Sequence, residues 1–235
     1  MTTEPEDDDS GRRSPNAVVP TREPTGSDGD DQAPMTRQER KLRTRNALLA
    51  AALDQLEHRS FGAISLREVS RAAGITPTAF YRHFESMEEL GLVLVDESFA
   101  SLREMMRTAR AEAQAPGDDI RASAGTLISH VRTHEPHYRF IARERSGGIA
   151  SLRTAIRHEI DSFVREIADD LRRYPVVGEL DAPDLEMVVS LIVTVMVATA
   201  ERLLDAPPEA EAAIRRRTED QMRVIVLGAI RWNRD

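Results

Sequence analysis

An all-α fold is predicted, with a small three-helix head of the helix-turn-helix kind followed by a larger helical body. Three observations carry this. Apolar residues recur at helical spacing from Met35 onward, and no segment of useful length alternates with the two-residue period of a strand. Breakers fall between these runs, at Pro116-Gly117, Pro136, Gly147-Gly148, Pro175, Pro183 and Pro207-Pro208. Residues 65–84, SLREVSRAAGITPTAFYRHF, read as two short helices joined by a tight turn, the second polar and cationic. That is the pattern that seats a helix in a DNA groove.

Residues 1–34 hold nine acidic and three basic side chains, a net −6, and hardly any large apolar residues. Such a segment cannot bury enough surface to offset its chain entropy, so a disordered acidic tail is expected. It would solubilise the chain or compete with DNA for a basic face. Residues 35–84 reverse the sign, with nine basic against four acidic side chains, a net +5. The total of −8 therefore does not exclude nucleic acid as a partner, because association depends on the local field.

The first helix is expected over 37–58, with Leu49, Leu53 and Leu56 inward. Lys41, Arg43 and Arg45 open it, preceded by Arg37 and Arg40. A solvated face is one reading; cations this dense beside a helix-turn-helix favour phosphate contact. Next, Ser65 and Glu68 form a capping box, and Leu66, Val69 and Ala73 share one helix face. Gly74 stands where the helix end wants positive φ. Thr76 can cap the second helix with Pro77 at its first position. Ala79, Phe80 and Phe84 would pack inward, leaving Thr76, Thr78, Tyr81, Arg82 and His83 on or near the outer face. Arg82 is the candidate base reader, since Arg can donate two bonds to one guanine, although a phosphate contact is equally open to it. Arg67 and Arg71 could also touch the backbone. Ser86 and Glu89 form a further capping box, so a new helix starts directly after Phe84.

The basic opening of the first helix, LREVSRAAGI and FYRHFESMEEL occur in order and at the right spacing, and together they resemble the DNA-binding domain of the TetR family of transcriptional repressors. The resemblance implies a TetR-like fold: a DNA-binding domain over 35–85 and a helical ligand-binding and dimerisation domain over 86–235. It also implies that Tyr81 and His83, in the pattern Y-x-H-F, contact backbone phosphates and set register. One departure is Met87, where many members carry a phosphate-contacting Lys. Further on, ELGLVLVDES (89–98) and RERSG (143–147) look like segments of the FabR and DesT type of repressor. That type controls unsaturated fatty acid synthesis and responds to acyl-CoA. The resemblance thus implies a repressor of lipid-metabolism genes, desaturase genes among them, with long-chain acyl-CoA as effector and no resident cofactor.

The body helices are expected over 87–113, 118–134, 136–143, 149–174, 181–205 and 208–231. Leu94, Val95, Phe99, Leu102, Met105 and Met106 stripe the first of these, either as ordinary core or as the wall of an acyl-chain tunnel. Phe140, Met187 and Leu191 are further ligand-contact candidates. Arg143, Glu144 and Arg145 form either a salt-bridge cluster with Asp96 and Glu97, or a site where Arg143 or Arg145 meets the phosphates or thioester end of acyl-CoA. The ligand would tilt the helix beginning at Met87, expected to be continuous with Phe84, and so reset the recognition helices.

Met187, Val188, Leu191, Ile192, Val195 and Met196 make the penultimate helix apolar nearly all round, and Val224, Ile225, Leu227 and Ile230 stripe the last. A two-fold dimer through these helices is expected, presenting two recognition helices to palindromic double-stranded DNA. The most apolar run, 187–200, is shorter than the roughly 18–20 residues that span a bilayer, so no membrane insertion is expected. The absence of cysteine and of an apolar leader suits the cytoplasm. His130, His134 and His137 could share a face, but no acidic or cysteine ligand accompanies them, so no metal site is expected. No nucleophile elbow or glycine-rich phosphate loop occurs, which argues against an acyl-CoA-processing enzyme. Within the family, a sensor of another hydrophobic molecule, drug or sterol-like, is the main alternative; a helical interaction module is a further one, disfavoured by the basic helix-turn-helix.

Overall fold

The computed structural model describes residues 36–112, 119–172 and 180–231. The expected acidic tail, Pro116-Gly117 and Pro175 lie outside the described residues. Every regular element among those described is helical. Helix α1 spans Arg37–Leu56, α2 Leu66–Ala72, α3 Pro77–Phe80, α4 Met87–Glu112, α5 Asp119–Thr133, α6 Glu135–Glu144, α7 Ala150–Leu171, α8 Ala182–Asp205 and α9 Glu211–Ile230. Short 3-10 turns at Phe61–Ala63 and Pro208–Ala210 precede α2 and α9.

Local chemistry places the ends of the head helices. Thr36 and Glu39 make a capping box that starts α1, and Ser65 and Glu68 make the one that starts α2. Arg59 reaches the same Glu68 carboxylate at 3.0 Å. The Ser65 hydroxyl and amide together with Arg59 hold the Glu68 carboxyl down at about 2. Gly74 adopts φ 71°, a left-handed conformation that turns the chain from α2 to α3. Thr76 caps α3, its hydroxyl accepting from the Ala79 amide at 3.2 Å, with Pro77 first in the helix.

Three boundaries depart from the sequence reading. Helix α1 ends at Leu56, before Glu57 and His58. Helix α3 is four residues long and does not run on to Phe84. Beyond Phe80 the chain tightens: the Arg82 amide donates to the Ala79 carbonyl at 3.1 Å and the His83 amide to Phe80 at 2.8 Å. The His83 carbonyl, which a continuing helix would use, instead accepts from Arg45 at 3.0 Å. The third departure is the join to α4, which starts at Met87 as expected but is not continuous with Phe84. Ser86 accepts from the Glu89 amide at 3.1 Å, and the Glu89 carboxylate accepts from the Glu85 amide, not the Ser86 amide of a regular box.

One apolar core runs from the head into the body. Leu48, Leu49 and Leu56 of α1, Phe61, Val69, Phe80 and Phe84 meet Leu90, Leu94, Val95 and Phe99 of α4, Phe140 of α6, and Leu152 and Ile156 of α7. Met87, the departure from the family's Lys, is half-buried against this core. Gly91 lets α4 approach Phe61: a Cβ there would lie 2.7 Å from the ring. Phe61 also packs against Phe140, ring centroids 6.1 Å apart. A second core joins α5, α8 and α9 through Leu127, Val131, Met196, Leu203 and Met222, and a third joins α7 to α8 through Phe163, Leu185 and Val189.

Helix α8 is 24 residues long and, by length and composition only, apolar enough to cross a membrane, which the short 187–200 run did not suggest. Its packing accounts for it as a core helix: Leu185, Val188, Val189, Val193, Met196, Leu203 and Leu204 are buried within the chain. Its apolar residues are not buried all round, because Met187 and Leu191 remain 40% and 49% exposed.

Candidate nucleic-acid interface and ligand cleft

Four of the predicted DNA-contacting residues stand together in the open. Thr76 and Thr78 at the start of α3, with Tyr81 and Arg82 in the turn that ends it, are all exposed, Tyr81 by 62%. Lys41 and Arg43 are exposed on α1. His83 is half-buried, its Nδ1 enclosed without a hydrogen-bond partner in this structure. Burial, then the charges of Lys41, Arg45 and Arg82, push its pKa below the ordinary imidazole value. Those three cations therefore converge on the turn after α3. Arg45 is placed differently from its neighbours: besides bonding the His83 carbonyl, its guanidinium sits 4.4 Å over the Phe84 ring. It ties α1 to the reading turn and holds the α3 segment in place.

The body carries an apolar cleft enclosed by α4, α5, α6, α7 and α8, with about 640 Å³ of free space, open solvent included. Of the predicted ligand residues, Phe99, Leu102 and Arg145 line it. Leu94, Val95 and Phe140 do not; they are buried in the core shared with the head. Met106 packs between the second and third cores. Met187 and Leu191 face outward from α8. Pattern alone missed Tyr138, Ile141, Ile160, Phe163, Met196 and Glu201, which complete much of the lining from three helices.

The arginines after Phe140 have separate partners, and neither pairs with Asp96 or Glu97, the cluster the sequence left open. Arg143 points at the head. Its Nη1 donates to the carbonyls of Leu56 at 2.8 Å and Arg59 at 2.6 Å, and its Nη2 to Glu57 at 3.4 Å. It thereby satisfies carbonyls that the end of α1 leaves unpaired. Glu144 is 1% exposed and accepts from the Phe61 amide at 2.8 Å. Arg145, one residue on, turns to the cleft and pairs with Glu201 of α8 at 3.1 Å. Asp96 sits near Arg103 and Glu159, and Glu97 near Arg45; burial first, and a neighbouring carboxylate with it, raises the pKa of each.

A second apolar surface lies outside the core. Val224, Leu227 and Ile230 of α9 are 70%, 54% and 51% exposed, and with Met187 and Leu191 of α8 they are most of the large exposed apolar residues among those described. Among the described residues, no group of three His, Asp or Glu side chains is arranged to hold a metal ion.

Two family models match the chain. Residues 48–92 match the model of bacterial regulatory proteins of the tetR family, and residues 116–227 match a tetracyclin repressor-like C-terminal domain. Similar solved structures agree in fold. A TetR-family regulator from Rhodococcus sp. superposes with a TM-score of 0.63 at 18% identity, covering 79% of this chain and 99% of that one. One from Syntrophomonas wolfei gives 0.65 at 10% identity, covering 82% and 99%. The fatty acid degradation regulator FadR from Bacillus halodurans gives 0.62 at 11% identity, covering 79% and 95%. Head and body are each matched in their proper places, and the chain belongs to the TetR family of DNA-binding transcriptional regulators.

Proposed function

We propose that the protein is a dimeric, effector-controlled transcriptional repressor of lipid-metabolism genes in the cytoplasm, desaturase genes being the specific candidates. Two copies would join through the exposed apolar faces of α8 and α9, with the two heads presented to a palindromic operator. On each head Lys41, Arg43, Tyr81 and His83 would meet phosphates, Thr76 and Thr78 would fix the start of α3, and Arg82 would read a base. The effector would place its apolar body in the cleft. Long-chain acyl-CoA fits this reading: Arg145 at the cleft is a guanidinium able to meet the thioester end or phosphates once released from Glu201. The name of the Bacillus halodurans neighbour, a fatty acid degradation regulator, accords with a lipid effector.

The observation that carries the reading is the run Arg143–Arg145. Two of its residues grip the end of α1 and Phe61, while the third lines the cleft. A ligand that displaces Arg145 from Glu201 pulls on the same end of α6 that holds the head. Coupling through α6 replaces the simpler idea of α4 as an uninterrupted lever from the recognition helix. The ligand shifts operator affinity only by its differential affinity for the two head positions.

The test is operator binding by fluorescence anisotropy, using promoter DNA beside the protein's own gene and nearby lipid genes, with saturated and unsaturated acyl-CoAs titrated in. A chain-specific change in affinity supports the reading. Tight DNA binding with no acyl-CoA response removes acyl-CoA and points to another hydrophobic effector.

A further inference from the structure

Behind the apolar cleft lies a second one of about 330 Å³, open solvent included, with Ser101, His130, His134, His137 and Tyr138 in its lining. Phe99, Leu102, Tyr138 and Ile141 line both clefts, so the two are neighbours across a wall of four side chains. The polar groups of the second cleft come from three helices. Ser101 on α4 lies 3.2 Å from Nε2 of His130 on α5, and Nδ1 of His130 lies 3.0 Å from the Tyr138 hydroxyl on α6. His134 stacks on His130 at 4.1 Å between ring centroids, its Nδ1 3.2 Å from the His130 carbonyl.

We propose that this second cleft binds an uncharged oxygen function, a hydroxyl or a carbonyl, carried on a ligand whose hydrocarbon part occupies the apolar cleft. The inference rests on the reading of that cleft as the effector site, and it adds the chemistry the effector must carry.

The charge balance comes first. Among the described residues lining the two clefts, Arg145 and Glu201 are the only Arg, Lys, Asp or Glu, and they pair with each other. His130 and His137 are held toward the neutral form. Burial, then the charge of His134, holds the His130 pKa down at about 4, and the same two causes lower that of His137. Burial raises the Tyr138 phenol above its ordinary value, so it keeps its proton. A carboxylate or an ammonium in this cleft would exchange water for a lining that holds no Arg, Lys, Asp or Glu.

Hydrogen bonding supplies the positive case. A neutral imidazole has one N–H and one bare nitrogen. The chain Ser101–His130–Tyr138 can therefore run in either of two directions. If Ser101 donates to Nε2, then Nδ1–H donates to Tyr138, whose own O–H is left to donate to a ligand. If Tyr138 donates to Nδ1, its oxygen still accepts, and Ser101 holds the spare O–H. A carbonyl is served by the first direction and a hydroxyl by either. Tyr138 borders both clefts, so a polar group recognised by it would be attached to a chain lying in the apolar one. His134 donates through Nδ1 to the His130 carbonyl.

The experiment is calorimetric titration of the full-length dimer with ten-carbon ligands that differ only in the polar group: decan-1-ol, decan-2-one, 1-chlorodecane, decanoate and decylammonium. The alcohol and ketone should bind at least about tenfold more tightly than the chloride and than either ion, the discrimination expected of a polar site left unpaired by the wrong ligand. Tyr138→Phe should erase that advantage, an unchanged circular-dichroism spectrum showing that the variant is folded; Ser101→Ala should reduce it. Equal affinity for alcohol and chloride overturns the inference, as does tightest binding of either ion. If no member of the series binds while a long-chain acyl-CoA still alters operator affinity, the inference fails and the effector reading stands. If acyl-CoA also has no effect, the inference fails and acyl-CoA is removed as the effector.

Discussion

Replacing Arg143 with Met tests whether α6 holds the head. The side chain keeps its apolar stem and loses the guanidinium, so packing changes little and three donor contacts disappear. Two of those contacts are short, 2.8 and 2.6 Å, and the third is marginal at 3.4 Å. Hydrogen bonds to a charged group contribute about 1.5–3 kcal/mol each when well placed. The guanidinium is only half-buried, so the lower end applies, and the two short bonds together come to about 2–3 kcal/mol. Favourable charge at the end of α1 is already contained in that figure. The assay is equilibrium urea unfolding at fixed protein concentration, since a dimer's apparent stability depends on it. Arg143→Met should lose about 2–3 kcal/mol; Arg143→Lys should recover part, because its ammonium can serve the Leu56 and Arg59 carbonyls from one nitrogen, as Nη1 does, but has no second nitrogen for Glu57. In the same variant, ligand affinity at the cleft should persist while the effector-induced change in operator affinity shrinks. A loss under about 0.5 kcal/mol with full effector response would refute the grip on α1 as a stabilising and coupling contact.

Tyr81→Ala combined with Arg82→Ala should abolish operator binding in a mobility-shift assay while the dimer persists in sedimentation; unchanged affinity would show that the reading face lies elsewhere. Leu227→Glu, at a side chain 54% exposed on α9, should convert dimer to monomer, because the charge would be buried against its apolar counterpart; an intact dimer would move the interface away from α9. Stability should fall as pH drops from 6.5 toward 4, because His130 is held at about 4 against an ordinary 6.5 and the unfolded chain takes up the proton first. His137 adds to the same window, and His130→Gln should flatten it; an unaltered slope in that variant would assign the effect to other groups. Glu68 acts later, its contribution being lost between about 4.5 and 2 as its carboxylate is protonated.

Local chemistry of fixed spacing was legible in the sequence. Ser65 with Glu68, Gly74, and Thr76 with Pro77 each announce their backbone geometry within four residues, and each behaves as expected. Side chains that act at a distance gave no such signal. Arg45 reaches a carbonyl 38 residues away and Arg143 carbonyls 84 to 87 away, and a carbonyl has no residue identity to recognise. Both were legible as cations and illegible as struts. The stripe on α4 showed which residues face inward but not toward what: Leu94 and Val95 meet the head, whereas Phe99 and Leu102 meet the cleft. The three histidines were visible by spacing alone, and their role depends on Ser101, supplied by another helix.

Phe61 has a mechanical consequence. Its ring lies against the bare α-carbon of Gly91 on α4 and packs against Phe140 on α6. Because it touches both helices, it is a joint through which a displacement of either one reaches the head. A larger side chain at position 91 would wedge that joint open, since the ring already stands where its Cβ would go.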